Sequence, residues 1–495
     1  MNRRKQVHAS PRKKSSKPSP ANPLSHKAAL KNLFHWYAPQ GELFAQEEFH
    51  GNIKWSPEQL AVEALVWSWQ EAKNVTDAFD QTLEICGDLG LKHTAKTYTA
   101  FMNALESYHD LLGSRLRERF QKLAEEIGGQ HWRTNGWVLI GFDGSRATAP
   151  RTVSNERAYC APHYGHGKRA KYGKKKSQGL RRQRNQNHKP QPQAPQAWIT
   201  MMWHMKLRLP WTWRIGPSNS SERGHVVEML ETEEFPDETL FCGDAGFVGY
   251  PLWSSILAKL ANFLIRVGAN VSLLSQTADI QKCGGRIVLC WPKGQMNSGK
   301  PALRLRLVKI RIGQTDMWLL TSVLDRRKLT KKQIIRIYKM RWGIMRCGLA
   351  VEFRGLKQTI DKHKLRCRNS GRLLVELDWS IRAMAVAELL ALREQIASKE
   401  AASEDASDPI DRSLANTMRA LRTCMRRLDK RPQDGNGLSH QLSQALVQRY
   451  ENHTDKRSRY RPKNPDKKPL GDPDVRTMNT TEREKLREIK QNQAA

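Results

Sequence analysis

Apolar residues recur at three- and four-residue intervals through most of the stretch from about His35 to Gln130, and that period predicts helices. "SPEQLAVEALVWSWQEA" opens with Ser56 ahead of Pro57, a capping residue followed by proline at the first helical position. "TAKTYTAFMNALESYHDLLGSRLRERFQKLAEEI" keeps the same period. The short helices expected in "NVTDAFDQTLEICGDLG" and "HTAKTYTAFMNAL" are compatible with a helix-turn-helix, although many helix pairs of that size bind nothing.

From about Gly136 the pattern changes to buried apolar runs of strand length alternating with helical stretches. "GWVLIGFDGSR" predicts a short buried strand ending at Asp143, and "AWITMMWHMKLRLPWTWRIG" predicts two strands. "SERGHVVEMLETE" reads as a helix behind a serine cap, and "TLFCGDAGF" as a second buried strand ending at Asp244. "YPLWSSILAKLA" is helical and "NFLIRVGANVSLL" a strand. The alternation predicts a mixed α/β core.

Between 275 and 320 the Gly-separated runs "GRIVLCWPKG", "ALRLRLVKIRIG" and "DMWLLTSV" predict a β insertion. Helices return in "TKKQIIRIYKMRW" and "LLVELDWSIRAMAVAELLALREQIA", and two more are expected at 410–429 and 437–451. No internal repeat is present. The expected division is a disordered basic arm (1–30), an N-terminal helical DNA-binding region (31–135) and a core (136–395) carrying a basic loop (157–197) and the β insertion (275–320). A C-terminal helical region (396–455) and a charged tail (456–495) follow, the tail without regular structure apart from a weak helix at "TEREKLREIKQ".

Charge sharpens this picture. Lys and Arg number 84 against 49 Asp and Glu, a formal charge of +35 that implies a polyanionic partner, nucleic acid first of all. Residues 157–221 contain no acid at all. The eight cysteines are scattered without a CxxC pair, as in a reduced intracellular protein, and no apolar run reaches the ~20 residues of a membrane span. The expected setting is therefore soluble and cytoplasmic.

Asp143 in "GFDGSR" and Asp244 in "GDAGFVG" share one setting, a carboxylate at the end of a short apolar strand. In α/β folds that position projects into the crevice where chemistry is placed, and a carboxylate suits a hard divalent ion. Each Asp also fits a simple turn cap. Their repetition in so basic a chain favours metal-dependent chemistry on nucleic acid, in which two ions activate the attacking oxygen and stabilise the leaving one. The stretch "YKMRWGIMRCGLAVEFRGLKQ" reads as a helix whose Tyr338, Arg341 and Lys357 can bond phosphate oxygens, with solvated surface charge as the plainer role. Trp291 and Trp318 are candidates to stack on a displaced base, although a tryptophan in such strands is more often a core residue.

These residues resemble a known family. "FDGSR", "GDAGF" and "YKMRWGI…VEFRGLKQT", with "PRT" at Pro150 to Thr152, "NE" at Asn155 and Glu156, and "RVGAN" with Arg266 and Asn270, look like DDE-type transposases of bacterial insertion sequences, in the group named after insertion sequence four. The resemblance runs from about Gly136 to Leu390. It implies a ribonuclease-H-like catalytic core with a β insertion, flanked by helical regions and basic tails. It further implies Mg2+ (or Mn2+) held by Asp143, Asp244 and a third acid. Tyr338, Arg341, Lys357, Arg266 and Asn270 would contact DNA. The implied partners are double-stranded DNA, as element ends and target, and a second copy of the chain in a homodimer. The implied place is the bacterial nucleoid, away from any membrane.

The family's third-acid signature is Tyr, two residues, Arg, three residues, Glu, six residues, Lys. Tyr338 and Arg341 fit its first half and Lys357 its end, but the Glu position falls on Met345 counted from Arg341 and on Ala350 counted from Lys357. "MRCGLA" stands where one Glu is expected. Glu352 is the acid at hand. On a regular helix it lies about 10 Å along from the position set by Arg341, or rotated roughly 200° from the one set by Lys357, so it reaches the ions only if the helix bulges. Glu376 and Glu388 are further candidates. The reading is a transposase with a displaced third carboxylate. The alternative is a catalytically inactive DNA-binding relic, and a third reading is a basic RNA-binding protein.

Overall fold

The structure, a computed structural model, describes residues 24–47, 49, 53, 55–92, 95–160, 193–275, 286–341, 353–401, 412–432, 436–446 and 470–494. Ten strands join in one mixed sheet: β1 (Val138–Thr148), β2 (Gln196–His204), β3 (Leu209–Gly216), β4 (Thr239–Gly243), β5 (Asn262–Val267), β6 (Ser272–Ser275), β7 (Arg286–Cys290), β8 (Leu303–Ile312), β9 (Thr315–Thr321) and β10 (Asp474–Thr477). Their order is β10-β6-β7-β8-β9-β5-β4-β1-β2-β3. β1, β2 and β3 are antiparallel neighbours, while β1, β4 and β5 run parallel side by side.

Fourteen helices are described around the sheet: α1 (His26–Tyr37), α2 (Pro57–Trp69), α3 (Val75–Asp88), α4 (Tyr98–Ser107), α5 (His109–Gly128), α6 (Val153–Tyr159) and α7 (Glu222–Thr232), then α8 (Tyr250–Ala258), α9 (Lys293–Asn297), α10 (Lys331–Arg341), α11 (Ser370–Ala401), α12 (Leu414–Met425), α13 (Leu438–Ser443) and α14 (Thr480–Ala494). A π-helical turn spans Gly355–Thr359. The caps follow the sequence signals. Ser56 accepts from the Gln59 N–H at the start of α2, and Ser221 from the Gly224 N–H at the start of α7.

Both faces of the central strands are covered, which is why "WVLIGF" reads as a continuous apolar run. Val138, Ile140 and Phe142 pack into the large core shared with the N-terminal helices and α11. Trp137 and Leu139 face the opposite way, into a second core closed by Ile334, Ile337 and Tyr338 of α10. α11 is apolar nearly all round because α2, α4, α5, α12, α13 and β3 all pack against it. Its buried Asp378–Arg382 pair, 2.7 Å apart, is completed by Trp213, whose indole N–H donates to Asp378 at 2.7 Å.

Four expectations change. β1 continues five residues beyond Asp143, because its pairing with β2 runs on to Thr148 although its pairing with β4 stops at Gly141. "NFLIRVGANVSLL" divides into β5 and β6 around Gly268 to Asn270. The β insertion extends the main sheet, since β9 pairs antiparallel with β5. The tail contributes β10 and α14; Met478, between them, and Leu486 and Ile489 of α14 cover Leu274, Leu289 and Trp291. Trp291 is thereby a core residue, its indole N–H donating to the Lys300 carbonyl at 2.7 Å. Trp318 is half-buried and bonds Asp472 at 2.7 Å. No helix among the described residues is long and apolar enough to cross a membrane.

Candidate active site

The register of the parallel strands brings the two aspartates together. β1 and β4 pair Leu139 with Leu240 and Gly141 with Cys242, so two residues further on Asp143 comes beside Asp244. β4 and β5 pair Gly243 with Ile265, which brings Arg266 beside Asp244 by the same step. Strand alternation turns all three towards the face that α10 covers. One carboxylate oxygen of each aspartate binds the backbone. Asp143 Oδ1 accepts from the Gly144 N–H at 3.0 Å, and Asp244 Oδ1 from the Gly246 N–H at 2.7 Å, capping a 3-10 turn.

The glycines and phenylalanines of the two motifs make this close approach possible. A methyl on Gly243 would fall 2.5 Å from the Phe142 ring, and that ring packs edge-on against Phe247 at 4.4 Å. Arg341, buried at the end of α10, donates to the carbonyls of Phe142 at 2.8 Å and Cys242 at 3.2 Å. One guanidinium thus ties β1 to β4 directly behind the aspartates. Burial raises the Asp143 carboxyl above its usual range, an effect opposed by Arg341 and the Gly144 N–H and reinforced by Asp244.

Tyr338, one turn back on α10, is buried, hydrogen-bonded to Arg266, and pushed up by that burial. Asn270 clamps the loop after Asp244. Its amide donates to the Ala245 carbonyl at 2.7 Å and accepts from the Gly268 N–H at 3.1 Å. Lys357 is half-buried on the π-helical turn, which packs against α11 and α12, and burial lowers its proton affinity. The structure therefore gathers Asp143, Asp244, Arg266, Tyr338 and Arg341, with Asn270 behind them. Glu352 and the Met345 to Ala350 stretch lie outside the described residues. Glu376 is locked to Lys362 at 2.7 Å and to two backbone N–H groups, and Glu388 is buried in α11.

The sequence reading passed over Glu222, the first residue of α7. A methyl on Gly144 would stand 2.2 Å from its Oε1 and 2.5 Å from its carboxyl carbon. Burial, then the charges of Asp143 and Asp244, raise its proton affinity against the pull of Arg146 and Arg341. As an acid in the first turn of a helix it is explained by the helix dipole alone, so its pattern carries no separate signal.

The donor set, carboxylate oxygens only, fits a hard divalent cation. Among the described residues no three His, Cys, Asp or Glu side chains are gathered as a preformed metal-holding group. Such an ion would shield adjacent carboxylates from each other and polarise a phosphate oxygen.

Paired acids at the carboxyl edge of a mixed sheet, braced by an arginine, define a site suited to phosphate chemistry. Residues 142–385 match the family model described as "Transposase DDE domain", a span that includes Asp143 and Asp244. The match supports a DDE transposase, a class of DNA-cleaving phosphoryl-transfer enzymes that generally use divalent metal ions. Among solved structures, the piggyBac transposase in a synaptic complex with hairpin DNA is similar at 11% identity. That match covers 86% of this chain and 87% of that chain, with a TM-score of 0.37, a likeness too distant to carry an argument. No curated protein matches the chain.

Proposed function

We propose that this protein is a transposase of the group named after insertion sequence four, which binds the ends of its element as a homodimer and cuts and joins DNA by two-metal phosphoryl transfer. The observation that carries the reading is the parallel register that sets Asp143 beside Asp244 with Arg341 bridging their strands. The strand order β3-β2-β1-β4-β5, antiparallel then parallel, agrees with a ribonuclease-H-like core. The charge of +35 supplies attraction for DNA.

In this reading Asp143 and Asp244 hold Mg2+ or Mn2+, and Glu352 is the acid the sequence offers for the third position. Arg266, Tyr338 and Lys357 line the path of the DNA end, and Asn270 shapes the loop behind Asp244. Arg341 acts chiefly as a brace and countercharge, since its guanidinium is bonded to two main-chain carbonyls.

The test is Mn2+ binding by titration calorimetry together with cleavage of a DNA fragment carrying the element's own end. Asp143→Asn and Asp244→Asn should each weaken ion binding and abolish cleavage while DNA affinity persists. Undiminished ion binding in both variants would refute the reading. DNA binding without cleavage by the unaltered chain would identify an inactive relic.

A further inference from the structure

α10 has two faces of different character. Ile334, Ile337 and Tyr338 on its inner side pack into the second core, and Arg341 at its end donates to carbonyls just ahead of Asp143 and Asp244. At 100° per residue, Lys332, Arg336 and Lys339 fall within about 60° of one another, on the side opposite those buried residues. Lys332 and Arg336 are exposed and Lys339 is half-buried. This outer face departs from what stabilises a surface helix. From Arg326 to Lys339 the chain carries seven Lys and Arg and no acid. Lys332, Arg336 and Lys339 stand four and three residues apart, the spacing at which like charges repel. Lys331 and Lys332 open the first turn, where the helix dipole favours acids, and that turn holds none. Even the capping box has a neutral residue in the acid's place. Gln333 Oε1 accepts from the Thr330 N–H at 2.7 Å, and Thr330 Oγ1 from the Gln333 N–H at 3.2 Å. On other helices surface arginines meet carboxylates, Arg115 with Glu118 at 3.1 Å and Arg422 with Glu71 at 2.7 Å. Among the described residues Lys332, Arg336 and Lys339 meet none.

Resting on the transposase reading, we propose that the outer face of α10, with the exposed Arg327 and Lys328 ahead of it, is a rail for the phosphate backbone of duplex DNA, holding the flank of the cut site without regard to its sequence. The stripe from Lys332 to Lys339 is about 10 Å long, a length over which a duplex presents about six phosphate charges. A continuous run of cations with no acid among them suits a continuous polyanion, and the bound backbone relieves the repulsion that the free helix carries. Because the same helix ends at Arg341, DNA gripped on its outside is fixed relative to the strands that carry the aspartates. The inner face of α10 sets the acids and the outer face sets the substrate.

The test is binding of the full chain to a mixed-sequence DNA duplex of about 30 base pairs, followed by fluorescence anisotropy across a salt series. Lys332→Gln, Arg336→Gln and Lys339→Gln combined should flatten the plot of log affinity against log salt by roughly 2 to 3, at about 0.9 per lost phosphate contact, and weaken binding on the order of a hundredfold at 0.1 M salt. The unfolding midpoint should not fall, because the substitutions remove like-charge repulsion. The charge-preserving set Lys332→Arg, Arg336→Lys and Lys339→Arg should keep the slope. Arg483→Gln, Lys485→Gln and Arg487→Gln remove the same charge from α14, where Glu484 and Glu488 alternate with them, and should leave the slope almost unchanged. If the two Gln sets flatten the plot equally, net charge alone is at work and the proposal falls. A loss seen only with single-stranded DNA would overturn the duplex assignment. If the α10 Gln set keeps the slope while the unaltered chain binds the duplex and cleaves its element end, the transposase reading stands and this proposal falls. If the unaltered chain binds no duplex, both fall.

Discussion

Truncating Glu376 to alanine should cost the fold several kilocalories per mole and leave divalent-ion binding alone. Glu376 is fully buried in α11. It accepts from Lys362 at 2.7 Å and from the backbone N–H groups of Arg366 at 2.9 Å and Cys367 at 2.8 Å, so it fastens the loop between the π-helical turn and α11. Burial disfavours its charge, but Lys362 and the two backbone donors outweigh that and hold the carboxyl below its usual range. Alanine strands a nearly buried ammonium, and breaking such a pair from one side costs about 3–5 kcal/mol. Combining Glu376→Leu with Lys362→Met should recover part of the loss, because the remaining defect is the orphaned backbone donors, about 1–3 kcal/mol each. The assay is urea unfolding at pH 7 followed by tryptophan fluorescence. Because the folded carboxyl titrates below its unfolded value, its contribution is complete above the unfolded pKa and is lost as pH falls through the folded one. The variant should therefore lose that part of the protein's acid sensitivity. A cost below about 1 kcal/mol, or normal stability with impaired Mn2+ binding, would refute this reasoning and return Glu376 to the candidates for the third ligand.

Arg341→Met should destabilise more than Arg341→Lys, because an ammonium still reaches one of the two carbonyls that the guanidinium bridges, a difference of about 1–3 kcal/mol by the same urea assay; equal losses would contradict the bridge. His204 is buried, with Nδ1 accepting from the Leu207 N–H at 3.1 Å and Nε2 bonding the Trp132 carbonyl at 3.0 Å, and burial pulls its pKa down to about 4. The unfolded chain binds the extra proton first, so stability should fall by on the order of 3 kcal/mol as pH drops from about 6.5 to about 4; an imidazole titrating near 6.5 by NMR would refute this. Deleting 166–190, a Lys- and Arg-rich stretch outside the described residues, should flatten the plot of log DNA affinity against log salt by about 0.9 per lost phosphate contact. An unchanged slope would mean that the stretch stays clear of DNA.

Where local pattern and burial agree, the sequence was enough. "SERGHVVEMLETE", "TLFCGDAGF" and "ALRLRLVKIRIG" became α7, β4 and β8 because a cap, a two-sided apolar run or a period-two alternation each points to one element. Asp143 and Asp244 were legible because an acid closing an apolar run is conspicuous. Their adjacency was not, since it depends on which residues of β1 and β4 pair. The extension of β1 past Asp143 was hidden for a related reason: β4 ends its pairing while β2 continues, and no residue of β1 records the change of neighbour. β10 was missed because four residues on a charged background carry no period of their own; its partner β6 lies some two hundred residues earlier in the chain.

The two motifs read differently once their alternation is followed through the sheet. In "FDGSR" and "GDAGF" the acids occupy positions that face α10. The intervening residues, Phe142, Gly144 and Gly243, face the other core. Each glycine there makes room for a particular neighbour, Phe142 at Gly243 and Glu222 at Gly144. The spacing of the motifs therefore encodes two layers at once, an acidic layer towards α10 and a fitted layer beneath it. Arg341 reaches main-chain carbonyls of both strands at the junction of those layers, so a shift at the end of α10 moves Asp143 and Asp244 together. The stretch "MRCGLA" begins only four positions after Arg341. Arg341, the last residue of α10, thereby holds the main chain of both strands just ahead of their aspartates, at the carbonyls of Phe142 and Cys242.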